Sequence, residues 1–110
     1  MATYYEEKDL NKFPTMGEDA PELWEKFIGY YGPALQDGAL SSREKALIGL
    51  AVAAAIQCPY CIDSFTQSCL QKGVSSEEMT EVFHAASAVR AGATLAHGVQ
   101  MKNIVKNLEM

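Results

Sequence analysis

The chain has 110 residues, 48% hydrophobic and 21% charged, with a net charge of −5. That length fits one domain, and its scattered Lys and Arg form neither a phosphate track for nucleic acid nor a patch for an anionic membrane. The N-terminal "MATYYEEKDLNKF" lacks the apolar stretch of a secretory leader, and the most apolar run, Ala46 to Ile56, falls well short of the ~20 residues of a membrane span. The expected location is cytoplasmic, where structural disulfides are uncommon and a close cysteine pair more often serves redox or metal chemistry.

In chain order, residues 1–19 read as a polar lead-in, extended or loosely packed, with Pro14 and Gly17. A helix opens at Asp19 with Pro21 in its first turn and carries Leu23, Trp24, Phe27, Ile28 and Tyr31 on one apolar face. Gly32 and Pro33 end it. "SSRE" at Ser41–Glu44 is a capping box that starts the next helix, whose apolar run predicts burial nearly all round. Cys58 then opens a third helix with Pro59 in its first turn, ending at Gly73. Ser75 and Glu78 form a second capping box. From Met79 onward, Met79, Val82, Phe83, Ala86, Ala93, His97, Met101, Ile104 and Leu108 share one stripe, on a single long helix or two helices bent near Gly92 or Gly98. No alternating run reads as a strand. The predicted fold is all-α, a single domain of about five or six helices over 1–110.

All three cysteines lie in "QCPYCIDSFTQSC". At a helix start, Cys58 and Cys61 stand one turn apart, close enough for a disulfide, and the positive helix end favours a thiolate, which on that ground makes Cys58 the candidate attacking sulfur. A thiolate beside a resolving thiol is what peroxide reduction or disulfide exchange requires. Cys69 lies eight residues further along the same helix, about 12 Å away, too far to resolve Cys61, and reads as a buried small hydrophobe. A closed zinc site needs two more ligands, and neither a second Cys-x-x-Cys nor a close histidine pair supplies them. No metal and no cofactor are expected. His97 falls on the inward stripe, whereas His84 points away from it and reads as peripheral. Tyr60, between the cysteines, is either a donor to a peroxide oxygen or a shield. Asp63 reads as a solvated residue. Arg90, near the stripe, would serve an anion or an ion pair between subunits.

"LSSREKALIGLAVAAAIQCPYCIDSFT" followed by "GVSSEEMTEVFHAASAVRAGATLAHGVQM" resembles the alkylhydroperoxidase D-like branch of the carboxymuconolactone decarboxylase superfamily, over roughly Leu40 to Met101. It also resembles a small subgroup of arsenosugar biosynthesis-associated peroxidase-like proteins. The resemblance implies an all-α subunit that oligomerises through helices, as a trimer or hexamer. It further implies thiol peroxidase or dithiol–disulfide oxidoreductase activity on small hydroperoxides, with an external dithiol as electron donor, Cys61 as the peroxide-reactive sulfur and Cys58 resolving. The motif of that branch is Glu, eleven residues, Cys-x-x-Cys, three residues, His. Both cysteines match, but Ala46 stands at the Glu position and Phe65 at the His position, so the usual proton relay is missing. The expected catalytic set is therefore Cys58, Cys61 and His97, with His97 as the substitute base. The competing readings are a decarboxylase-like lyase using His97 and Arg90 on an anionic substrate, and an accessory protein that has lost activity or holds a thiophilic ligand such as trivalent arsenic between the two sulfurs. Small residues in "AASAVRAGA" and the aromatic surface of Trp24, Tyr30 and Tyr31 also favour a homo-oligomer.

Overall fold

The computed structural model describes residues 5–109, which form five helical segments: a 3-10 helix (Glu7–Gly17), α1 (Pro21–Ala34), α2 (Ser42–Ile56), α3 (Pro59–Gln71) and α4 (Ser76–Glu109). Among the described residues there is no strand, and no helix is long and apolar enough to cross a membrane. The all-α expectation holds.

The lead-in departs from its expected form. The first four residues lie outside the described ones, but Glu7–Gly17 is helical where the sequence predicts an extended or loosely packed segment. Pro14 cannot donate, which interrupts an α ladder and leaves the shorter 3-10 bonds. The segment is held by side chains. Phe13 meets the rings of Trp24 and Phe27 edge-on at 5.0 and 5.8 Å. α1 packs chiefly against this 3-10 helix, ends one residue beyond Pro33, and stands off from the rest of the molecule.

α2 begins at the predicted box: Ser41 Oγ accepts from Glu44 N–H at 3.1 Å, and Glu44 accepts from Ser41 N–H at 2.9 Å. Ser75 and Glu78 repeat this pattern before α4, at 3.1 and 3.0 Å. The core is small. Ala46, Leu50, Ala53, Cys69 and Val74 are its buried members, with Leu47, Phe65, Met79 and Val82 packed around it. Close approach of α2 and α3 depends on Gly49, because a Cβ there would enter the ring of Phe65. Gly73, at φ 77°, turns the chain from α3 towards α4 with no side chain to strain.

Two polar ties set the register of α4 on α2. Arg43 pairs with Glu78 at 2.7 Å near one end, and Arg90 donates to the Ala55 carbonyl at 2.7 Å near the other. Both join residues 35 apart, so the helices run parallel with a fixed offset. α2 therefore runs out beside residue 91 of α4, and the remainder of α4 continues without it.

That geometry selects the single long helix of the two readings and leaves His97 unburied. α4 is continuous through Gly92 and Gly98, and only the first part of its stripe is packed. Met79, Val82 and Ala86 face α2, whereas His97, Met101, Ile104 and Leu108 are exposed. The periodicity is real, but within the subunit its partner helix ends too soon to bury His97. The projecting helix also explains a radius of gyration of 18.8 Å, against about 13 Å for a compact chain of this length.

Candidate functional site

The turn between α2 and α3 fixes the cysteine pair. α2 stops at Ile56, and Gln57 adopts the left-handed conformation, φ 57° and ψ 50°. For a residue with a Cβ this costs about 1–2 kcal/mol, and it reverses the chain within a single residue. Cys58 then uses every polar group it has. Its N–H donates back to the Ala53 carbonyl at 3.1 Å, its carbonyl accepts from Ile62 N–H at 2.9 Å, and its sulfur accepts from Cys61 N–H at 3.3 Å. The N-cap role usually filled by a serine or aspartate oxygen is here filled by a thiol sulfur.

The two sulfurs lie 2.7 Å apart, both cysteines are free thiols, and both are partly buried. That separation brings them inside ordinary contact without a bond, within reach of a shared proton or a disulfide. Burial, then a hydrogen bond to Cys58 and the charge of Cys58, push the Cys61 thiol up to about 11. The Cys58 sulfur sits at the start of α3 and accepts a backbone N–H.

Cys61 opens on a cavity of about 490 Å3 between α1, α2 and α3. Its walls are mostly apolar: Leu40, Ile48, Val52, Ile56 and Phe65 line it, and Tyr31 and Lys45 are the lining residues whose side chains carry a polar group. Phe65, at the position where the resemblance would put a histidine, is one wall. Ala46, at the corresponding glutamate position, is buried in the core. Tyr31 is raised above the usual phenol range, first by burial and then by the charges of Cys61 and Cys58, so it stands beside the pair in its protonated form.

Sequence reasoning missed Tyr31, because its helical phase shows an apolar face and not what that face meets. A row of rings carries it there: Trp24 to Phe27 at 5.7 Å and Phe27 to Tyr31 at 5.1 Å. Tyr60 is turned the other way. It meets the Tyr5 ring at 4.8 Å and lines a different hollow, under the 3-10 helix. Asp63 is also occupied elsewhere, accepting from the Tyr5 hydroxyl at 2.7 Å and from Gln67. That bond, above burial and the charge of Asp63, pushes the Tyr5 phenol up to about 12.

Cys69 is fully buried in the core, as its spacing predicted, and burial raises its thiol. His97 does not join the pair: it is exposed on α4 beyond the end of α2, and the cavity at Cys61 draws no residue from α4. His84 is exposed too. Arg90 spends one guanidinium nitrogen on the α2 C-terminus, where a cation is favoured. Among the described residues no three His, Cys, Asp or Glu side chains group to hold a metal ion.

The family model described as the carboxymuconolactone decarboxylase family matches residues 21–101. The chain belongs to that family. The match takes in α1, the cysteine pair and most of α4, and so covers every element around the cavity. A curated Paracoccus denitrificans relative, known as uncharacterized protein 4 in the cox locus, is 38% identical over 71 residues, which is 64% of this chain and 64% of that protein. The match thus spans under two thirds of the relative's length. A crystal structure of a protein from Methanobacterium thermoautotrophicum, a structural genomics target, superposes with a TM-score of 0.73 at 28% identity, covering 76% of this chain and 94% of that one.

Replacing Cys58 by serine removes its charge and the hydrogen bond between the two sulfurs, two of the three causes that hold the Cys61 thiol near 11. In wild type, Cys61 keeps its proton until the pH approaches that value. In Cys58→Ser its alkylation rate rises at distinctly lower pH, towards a value set by burial alone. An unchanged profile in the variant contradicts the described pairing.

Proposed function

We propose that the chain is a dithiol–disulfide oxidoreductase that reduces apolar organic hydroperoxides as a thiol-dependent peroxidase. One observation carries the reading: two free thiols 2.7 Å apart, one of which opens on an apolar cavity of about 490 Å3. Membership of the family is consistent with an enzyme. The particular chemistry is inferred from the pair and its cavity.

The reaction follows from the arrangement. The cavity takes the alkyl or aryl body of the hydroperoxide and presents its O–O bond to Cys61. Cys58 first gives its own proton to water, and its sulfur then takes the Cys61 proton as the Cys61 sulfur attacks the terminal oxygen. The O–O bond breaks, leaving a Cys61 sulfenic acid and an alkoxide that is protonated to the alcohol. Cys58 then attacks the sulfenic sulfur, its proton leaves with the hydroxyl as water, and a Cys58–Cys61 disulfide remains. An external dithiol returns two electrons and two protons. In this scheme Cys58 serves as both base and resolving thiol, which answers the loss of the usual relay at Ala46 and Phe65 from within the pair. His97, expected as the substitute base, is not needed for the first step.

The cavity walls give a selectivity. Hydrogen peroxide gains nothing from Ile48, Val52, Ile56 and Phe65, whereas an alkyl chain buries about 0.8 kcal/mol per methylene against them. The lyase reading has less support. It needs Arg90 and His97 for an anionic substrate, and Arg90 is bound to Ala55 while His97 lies apart from the cavity.

The same proposal includes a homo-oligomer. The accessible surface of 8659 Å2 exceeds the roughly 6,000 Å2 expected of a monomeric domain of this mass, an excess of the order that each subunit loses in an obligate interface. Leu95, Ile104 and Leu108 on projecting α4 and Ile56 on α2 carry much of the exposed apolar area. Light scattering on the purified chain is expected to give a multiple of its 12.0 kDa mass, and a monodisperse monomer would remove this part of the proposal.

Turnover tests the activity. With a dithiol donor present, the protein is expected to consume an alkyl or aryl hydroperoxide at least ~10-fold faster per site than hydrogen peroxide, about the effect of two buried methylenes. Both Cys58→Ser and Cys61→Ser should abolish catalytic turnover. Rates no higher than those of the free donor would overturn the peroxidase reading.

A further inference from the structure

Reduction of an alkyl hydroperoxide expels an alkoxide, a strong base that needs a proton as the O–O bond breaks. At the positions where the family resemblance places a relay, this chain has Ala46 and Phe65. Cys58 removes a proton in the proposed scheme and is not free to supply one at the far side of the substrate. From geometry we infer that Tyr31 is the general acid of the site. The inference rests on the peroxidase reading above and adds a catalytic residue to it.

Three observations converge on Tyr31. Its side chain and Cys61 line the same cavity, from opposite helices, α1 and α3. A substrate in that cavity lies against both the Cys61 and the Tyr31 side chains. The ring is also held in place, at the end of the row formed by Phe13, Trp24 and Phe27, with ring centres 5.0 to 5.8 Å apart. Nothing about packing alone requires a hydroxyl there, since phenylalanine fills the same space. Finally, the charges on both cysteines contribute to holding its proton, after burial, so the hydroxyl is electrically close to the reacting sulfurs. The other polar group on the walls, Lys45, is engaged with the Gln36 carbonyl at 2.6 Å.

The step balances. Cys61 attacks the terminal oxygen, the O–O electron pair goes to the alkoxide oxygen, and the Tyr31 proton moves to that oxygen to form the alcohol. The phenolate left behind regains a proton from water before the next turnover. Such a donor is worth about 10²-fold or more when the leaving group is a strong base, and close to nothing when the leaving group is a weak one.

That contrast supplies the test. Single-turnover oxidation of the reduced protein is measured in wild type and Tyr31→Phe with two oxidants, an alkyl hydroperoxide and a percarboxylic acid whose carboxylate leaves without a proton. Tyr31→Phe is expected to slow the alkyl hydroperoxide about 10²-fold and to leave the peracid rate within about twofold. Equal slowing of both oxidants would make Tyr31 a packing residue and overturn the inference, as would no slowing of either. Failure of the underlying reading looks different. In that case wild type itself reacts with the hydroperoxide no faster than a free dithiol, and the assignment of Tyr31 falls with it.

Discussion

The fold around the cysteines depends on one capping interaction, the Cys61 N–H bound to the Cys58 sulfur. A helix start leaves its first N–H groups without partners, and most proteins satisfy one with an oxygen. Using sulfur brings the thiol of the cap and the thiol one turn later to 2.7 Å and places the first at the positive end of the helix. The left-handed Gln57 and the backbone bond from Cys58 to Ala53 make that position rigid. Local helix chemistry thus brings the pair together, with no long-range contact required to do it.

What surrounds the pair is a matter of tertiary packing. α3 lies on α2 because Gly49 admits the Phe65 ring, and α1 is set back from both by its packing on the 3-10 helix. The gap between them is the apolar cavity. Ala46 and Phe65 extend the core up to Cys61. A thiol in such surroundings resists ionisation, and Cys61 accordingly holds its proton more tightly than a free cysteine.

Local features were legible in the sequence. Both Ser-x-x-Glu boxes form as their spacing indicates, Cys58 opens α3 before Pro59, and Cys69 is buried. Each depends on residues within a few positions of one another. The misreadings concern partners far away in sequence. The inward phase of His97 is correct as a helical angle, but α2 ends before it can cover that turn. Tyr60, between the cysteines, reads in sequence as a donor to a peroxide oxygen or a shield, yet its ring leans on Tyr5, while Tyr31, nearly thirty residues earlier, lines the cavity with Cys61. Continuous α4 is a case of context overriding propensity, since glycines at 92 and 98 cost about 1 kcal/mol each within an alanine-rich helix that still closes its ladder.

The central claim is that Cys58 and Cys61 are a working redox dithiol. Intact mass with cysteine mapping, after one equivalent of an alkyl hydroperoxide on the reduced protein, tests it most directly. The account predicts rapid loss of two hydrogens, located as a Cys58–Cys61 disulfide with Cys69 still a thiol. Oxidation at the pace of a free thiol, or oxygen addition spread over all three cysteines, would contradict it.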